Sequence, residues 1–411
     1  MPKVARPWHW FFLNTPFGAT SGFVAVMLGY LGNKAGMDDA VIAGLSAANL
    51  FPHAWKFFWA PIADITFSRK RWYLISNGTS CLALLTMAFV PFTKANIGTF
   101  EILILVNSLA ITFLGMAVEG LMAHNTPENE RGRAAGWFQA GNLGGAGIGG
   151  GLALLVAQHV SITAAFLMLA VLLGSCSFAL LLGPDAPRDH VEAKSFVKKA
   201  ALSTKNVFKD LFGTLASRRG IIALVICFMP LGAGAAVNLF GAIGARWQTS
   251  AETVAIVTGI LGGVVAAIGC LVGGWFSDRL PRRVAYVLSG VFLAAVGTLM
   301  ALSPQSVYSY VVFTLAYQFV SGMVYSCFTG FVLEVIGVGA VATKYNALAS
   351  LSNIPIWYMT LILGNVSKEH GPVTMLFVDA GAGMIGLAVL LLAILVVRPH
   401  LSKPTAPPTV V

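Results

Sequence analysis

The stretch Gly274-Trp275-Phe276-Ser277-Asp278-Arg279-Leu280-Pro281-Arg282-Arg283 decides how the chain is read. It sets a carboxylate and three arginines directly after a long apolar run. A related arrangement occurs earlier, Ala60-Pro61-Ile62-Ala63-Asp64 followed by Arg69-Lys70-Arg71. Asp64 and Asp278 lie 214 positions apart, and Glu119 and Glu334, each near the end of another apolar run, lie 215 apart. Two independent landmarks with matching separations predict a duplicated chain. A carboxylate at the end of a membrane helix can cap the N-terminus of a neighbouring helix while nearby arginines hold it ionised. The expectation is therefore a latch built from Asp64, Arg69, Lys70 and Arg71 and, in the second copy, from Asp278, Arg279, Arg282 and Arg283. Such a latch forms only when two bundles close on that side. Simple topological anchoring by basic residues is the alternative reading.

Outward from that stretch, the composition sets the class. Of 411 residues 57% are hydrophobic and 10% charged, whereas a soluble chain is about one quarter charged. Soluble domains, disorder, a coiled coil and a secreted disulfide scaffold are excluded. Helices of about 20 residues cross a bilayer. Apolar runs predict spans near 8–32, 39–62, 72–93, 98–123, 134–158 and 161–183, then 219–245, 252–277, 284–303, 306–335, 345–366 and 371–397. The fold expected is all-α and membrane-embedded, with twelve transmembrane helices in two pseudo-twofold six-helix bundles. The bundles cover 1–183 and 219–400, a cytoplasmic linker covers 184–218, and residues 401–411 form a disordered tail. Within the linker Phe196, Ala200, Val207 and Leu211 oppose Lys194, Lys198, Lys205 and Lys209, the pattern of a helix lying on a membrane surface.

With the N-terminus inside, 21 of the 26 Lys and Arg fall on the inner side. This positive-inside asymmetry predicts cytoplasmic termini. It also accounts for the net charge of +10 through the anionic lipid leaflet, without nucleic acid. The five cysteines all sit in apolar segments and read as small hydrophobes, with no metal site implied. Gly141, Gly145 and Gly149, with Gly144, Gly147, Gly150 and Gly151 beside them, and Gly259, Gly262, Gly263, Gly269, Gly273 and Gly274 in span eight, predict a seam where helix backbones pack closely between the halves.

The paired loops resemble those of the major facilitator superfamily over essentially the full chain. Glu119 followed by Pro127-Glu128-Asn129-Glu130-Arg131-Gly132-Arg133 is similar to that family's segment after span four. Trp55-Lys56-Phe57-Phe58-Trp59-Ala60-Pro61-Ile62-Ala63-Asp64 resembles the second-span signature of AmpG-like permeases. Ala342-Thr343-Lys344-Tyr345-Asn346-Ala347-Leu348-Ala349-Ser350-Leu351-Ser352-Asn353 resembles the same branch's entry to span eleven. The branch includes importers of muropeptides, some siderophore permeases and acetyl-CoA transporters. The resemblance implies a secondary active transporter of a bacterial-type inner membrane, monomeric, without a cofactor, importing a small-molecule substrate that is muropeptide-, siderophore- or acyl-CoA-like. Protons are the favoured coupling ion, because the chain lacks the Gly-x4-Gly-Lys-Ser/Thr loop of nucleotide-driven machines. An exporter of amphipathic compounds is the runner-up. A membrane transferase built on His124 with Glu128 or Glu130 and a non-transporting sensor are the other rivals.

The resemblance also implies that spans one, four, seven and ten line the central path. On span four Glu101, Ser108, Thr112 and Glu119 fall within about 20° of one line at 100° per residue, and such a stripe faces water or protein, not lipid. Span ten carries Tyr310, Thr314, Tyr317, Ser321 and Tyr325 in a comparable stripe, with Gln318 at its margin. Span one offers Asn14 and Ser21, and span seven Asn238. Together Asn14, Ser21, Ser108, Thr112, Asn238 and the span-ten residues form the expected substrate cavity, with interhelical hydrogen bonding as the plainer alternative. The ionisable residues inside spans are His53, Lys56, Glu119, Glu334 and Asp379, each expensive there. Lys56 and Glu119 are expected to pair, with contact of Lys56 to an anionic group of the substrate in one conformer as the alternative. Glu334 is a candidate to carry a coupling proton, Asp379 is expected in a structural pair, and His53 in helix packing.

Overall fold

The computed structural model describes residues 6–35, 37, 44–45, 48–49, 51–53, 56, 59, 62–63, 66–186, 209, 211–336 and 341–397. Every regular element among them is helical, and nine of these helices are long and apolar enough to cross a membrane. Spans keep their sequence numbering here. Span one runs from His9–Gly22 through a π-helical turn at Phe23–Leu28 into Gly29–Lys34. Span three is Arg69–Phe89 and span four Ile97–Asn125. Span five runs through Arg131–Gly147, Ile148–Leu152 and Ala153–His159, and span six through Ile162–Cys176 and Ser177–Leu182. Span eight runs from Ala251–Ile256 through Val257–Leu261 to Gly262–Arg279. Spans nine to twelve are Arg282–Leu302, Val307–Val335, Val341–His370 and Pro372–Val397. Most of span two, Asp64, most of the linker and the tail at 401–411 lie outside the described residues.

Serines start several of these helices. Ser68, Ser161, Ser217 and Ser250 each accept from the backbone N–H three residues on, and Ser306 with Ser309 closes a reciprocal capping box. A neutral hydroxyl satisfies the free N–H groups of a helix start without placing a charge in the bilayer interface.

The duplication is visible in the packing. Span one lies on span five as span seven lies on span eleven. Span three packs on four and six, just as span nine packs on ten and twelve. The halves meet where span five packs on eight and ten, and where span four meets eleven.

Span seven departs from the continuous helix expected over 219–245. The helix Arg218–Phe228 stops, the chain turns through Gly232 (φ 71°) and Gly234 (φ 65°), and short 3-10 and α turns follow at Ala235–Leu239 and Phe240–Ile243. Pro230, Gly232 and Gly234 are the signal, since proline removes a donor and glycine admits the left-handed backbone. Irregular backbone at membrane depth survives only where protein satisfies it. Tyrosines do so here: Tyr286 donates to the Leu231 carbonyl at 2.6 Å, and Tyr310 to the Phe240 carbonyl at 2.8 Å.

The glycine rows of span five divide between two partners. Gly141, Gly145 and Gly149, expected at the interface between halves, instead press on span one at Phe11, Thr15 and Ala19. Gly144, Gly147 and Gly151, one face round, meet Ala267, Gly263 and Ile260 of span eight and form the seam between halves. Span eight's own Gly269 and Gly273 lie against Phe319 and Met323 of span ten. A four-residue repeat locates a close-packed face but not its partner.

A Cβ on Gly149 would fall inside the Ala19 carbonyl, whereas one on Gly78 in span three meets nothing within 4 Å. Gly149→Val is expected to cost about 3 kcal/mol or more through overpacking, and Gly78→Ala to be neutral or stabilising. Thermal unfolding in detergent should therefore show a clear fall in Tm for the first variant and none for the second.

Candidate functional site

At the end of the bundle that carries the basic loops, the Asp278 carboxylate joins the halves. Span eight ends at Arg279, and Asp278 on its last turn points at the first turn of span five. Asp278 Oδ1 accepts from the Gly132 N–H at 2.7 Å. Its Oδ2 accepts from the Arg133 N–H and from Arg133 Nε, each at 3.0 Å. Those N–H groups have no intrahelical partner, and the helix dipole there favours an anion. Gly132 is required by the close approach: a Cβ on it would meet Asp278 and the Gly274 backbone. Arg133 also pairs with Glu130 at 3.1 Å.

Arg282 completes this end. Its Nη1 lies 3.2 Å from Glu334 Oε2, and its Nη2 donates to the Glu128 carbonyl of the first half. Glu334 thus sits with the basic cluster at the closed end, not in a central chamber. Arg279 stacks on Trp275 at 3.9 Å, and Arg283 is half-buried. In the first half Asp64 lies outside the described residues. There Arg69 is buried against Gly120 and donates to the Ala63 carbonyl at 2.6 Å. Lys70 caps the end of span six, donating to the Leu180 and Gly183 carbonyls at 2.6 Å, and Arg71 is exposed. In the described residues the second copy reaches across to the other half.

Behind this end lies a cavity of about 140 Å³ between the halves. Asn14 and Phe17 of span one, Lys56, Glu119 of span four, and Phe138, Gln139 and Asn142 of span five form one wall. Tyr325, Phe328 and Thr329 of span ten and Tyr345, Ala349, Ser352 and Asn353 of span eleven form the other. Lys56 Nζ lies 3.9 Å from Glu119 Oε1, with both side chains nearly buried. The other carboxylate oxygen of Glu119 accepts from Asn346 Nδ2 of span eleven at 2.7 Å. Gln139 donates to Thr329 at 2.8 Å, a second link between halves, and Asn142 donates to Gln139 at 3.2 Å. A separate cavity of about 270 Å³ is lined by the π-turn regions of spans one, five and eight, with Ser21 and Gln318 on its wall.

The polar stripes are placed differently from the sequence expectation. Asn14 and Tyr325 line the smaller cavity, and Ser21 and Gln318 the larger one. Ser108 donates to the Asn49 carbonyl, and Thr112 to the Ser108 carbonyl at 2.8 Å with His53 at 3.5 Å, so both face span two. Asn238 donates to Thr360 at 3.0 Å on the span-eleven side. Tyr310 and Ser321 pack on the broken part of span seven, Thr314 is fully buried, and Tyr317 donates to Asp379 at 2.6 Å. These residues hold each bundle together and do not border either cavity. A bundle helix has two protein-facing sides, and a polar stripe marks one of them without saying which. The lining residues Gln139, Asn142, Thr329, Tyr345, Ser352 and Asn353 were not singled out as cavity residues. Three of them, Tyr345, Ser352 and Asn353, belong to the stretch at the entry to span eleven.

Comparisons with known proteins agree with this architecture. The sequence profile of the Major Facilitator Superfamily matches residues 10–356. No curated protein sequence matches the chain. Among solved structures, the proton:xylose symporter XylE bound to 6-bromo-6-deoxy-D-glucose is similar at a TM-score of 0.68 and 12% identity, covering 94% of each chain. The E. coli fucose:proton symporter FucP is similar at 0.68 and 15% identity, covering 94% of this chain and 98% of that one. FucP in its outward conformation gives 0.68 and 16% identity, with 94% and 99% covered.

Asp278→Ala would leave the Gly132 and Arg133 N–H groups without their carboxylate. Hydrogen exchange of the peptide containing 131–138 is expected to speed up by about tenfold, from about 1–2 kcal/mol of lost capping. An unchanged rate would show that these amides are protected without Asp278.

Proposed function

The chain belongs to the Major Facilitator Superfamily, and from that premise we propose that it is a proton-coupled symporter importing a polar organic solute by alternating access. The cavity between the halves is the observation that carries this reading: it is polar, it holds an ammonium and a carboxylate, and its floor is closed by contacts that cross from one half to the other. Each of these contacts can break as the halves rock, which is what alternating access needs. The similar solved structures are named as proton symporters of xylose and fucose, which supports proton coupling. The AmpG-like stretches support import of a muropeptide-, siderophore- or acyl-CoA-like solute across an inner membrane, by a monomer with cytoplasmic termini and no cofactor.

Asp278 with Arg133, and Arg282 with Glu334 and Glu128, act in this reading as the latch of the closed basic end. The first-half set, Arg69, Lys70 and Arg71 with Asp64, is its counterpart by duplication. Glu119 takes the coupling role, since its two oxygens face Lys56 on one side and Asn346 of the second half on the other. It therefore senses both the cavity and the closure. Glu334, tied to Arg282 outside the cavity, serves closure only.

Reconstituted into sealed vesicles, the protein is expected to accumulate a solute when an inward proton gradient is imposed. Glu119→Gln should abolish gradient-driven accumulation while sparing solute counterflow. Glu334→Gln should slow both without removing the dependence on the gradient. Accumulation by Glu119→Gln equal to wild type would remove the residue from coupling, and solute accumulation indifferent to any ion gradient would remove the symport reading.

A further inference from the structure

We propose that the cavity selects solutes carrying a carboxylate, seated on Lys56, with a hydroxyl or amide N–H of the same solute donated to Asn14. The inference deepens the symporter reading and rests on it for the fate of the bound solute, though not for its binding.

The charges in the cavity are unequally served. Glu119 has a close neutral donor in Asn346 at 2.7 Å. Lys56 has no acceptor within hydrogen-bond distance among the described residues; Glu119 Oε1 stands 3.9 Å away, against about 2.7–2.9 Å for a charge-assisted hydrogen bond. An ammonium facing a cavity inside a membrane protein with only a carboxylate at 3.9 Å beside it is poorly compensated. A solute oxyanion meeting Lys56 directly supplies the missing compensation, and Glu119 is then no longer its nearest anion. Lys56 is the only cation lining the cavity among the described residues.

A second, independent mark lies on span one, on the same wall. Asn14 is almost fully buried, its Nδ2 donates to the Phe138 carbonyl at 2.8 Å, and its Oδ1 has no partner. That amide is fixed by its own hydrogen bond, so Oδ1 is an acceptor waiting for an O–H or N–H. Phe17, Phe138 and Phe328 supply apolar lining to the same cavity. The cavity measures about 140 Å³, room for several waters. It suits a compact acid or the acid end of a larger solute, whereas uncharged sugars offer Lys56 neutral acceptors and no counter-charge.

The test uses the full-length protein in detergent and follows its thermal unfolding with gluconate, glucuronate and N-acetylmuramate. Each is compared with an uncharged counterpart: sorbitol, glucose and N-acetylglucosamine. A ligand that binds only the folded state raises Tm with its concentration. At least one acid is expected to raise Tm saturably while its counterpart does not. Lys56→Gln should weaken that binding about tenfold or more, the usual loss for a hydrogen bond to a charged group, and Lys56→Arg should keep part of it. Because Lys56→Gln strips Glu119 of its cation, the double variant Lys56→Gln with Glu119→Gln serves as a second test of the same loss. Equal stabilisation by the uncharged counterparts, no stabilisation by any acid, or an undiminished shift in both Lys56 variants lacking the ammonium overturns the proposal. Uptake of the stabilising acid into sealed vesicles is scored separately. Binding without uptake removes the symporter reading and leaves the carboxylate site standing, whereas uptake of uncharged sugars alone does the reverse.

Discussion

A helix that begins at a membrane surface presents backbone N–H groups with no intrahelical partner. At the start of span five, two of them are taken by a carboxylate belonging to the other half of the molecule. Asp278 reaches Gly132 and Arg133 only because the backbones of spans five and eight come together there, and they come together only because Gly132, Gly136 and Gly274 carry no side chain. Closure of the basic end, the floor of the cavity and the position of Arg282 all follow from that approach. A side chain on any of the three glycines would separate the helices before the carboxylate could engage.

The sequence revealed the fold well, because bilayer length is a strong one-dimensional signal. Spans four, nine, ten and twelve begin and end within a few residues of where apolar runs put them. The carboxylate at 278 was legible as a helix cap for the same reason, since a charge at a span's end has few partners to choose from. The cavity was less legible. Helical periodicity sorts residues by angle around one helix, and Tyr310, Thr314 and Tyr317 do share an angle, but it points to spans seven and twelve. Gln139 and Asn142 sit among the span-five glycines, where their amides were overshadowed by the packing signal. Which protein face a stripe takes is a three-dimensional fact that spacing alone does not contain.

Span seven shows how the same tyrosines serve the fold. The helix expected there is interrupted by Pro230, Gly232 and Gly234, which opens the carbonyls of Leu231 and Phe240 to side-chain donors. Hydroxyls of Tyr286 on span nine and Tyr310 on span ten take them. Tyr317 is held in turn by Asp379 of span twelve. The aromatic stripe of span ten is thus the frame that permits a broken helix inside a bilayer. A phenol suits this task, because its ring packs as an apolar body and only its tip needs a polar partner.

The energies fit a molecule that must open as well as close. Among the described residues, the polar links between halves include the Asp278 cap, Arg282 to Glu128, Gln139 to Thr329 and Asn346 to Glu119. Each contributes about 0.5–1.5 kcal/mol net, and somewhat more where a charge takes part. Their sum is a few kcal/mol, comparable with the ~5.5 kcal/mol of differential binding that moves a two-state equilibrium from one side to the other. The glycine seam between spans five and eight adds contact without interlocking side chains, so it resists separation while permitting tilt. Large apolar side chains meshed across that surface would have fixed one conformer beyond the reach of any solute. With small residues at the seam and a few polar clasps beside the cavity, the solute binding proposed above would suffice to shift the balance between conformers.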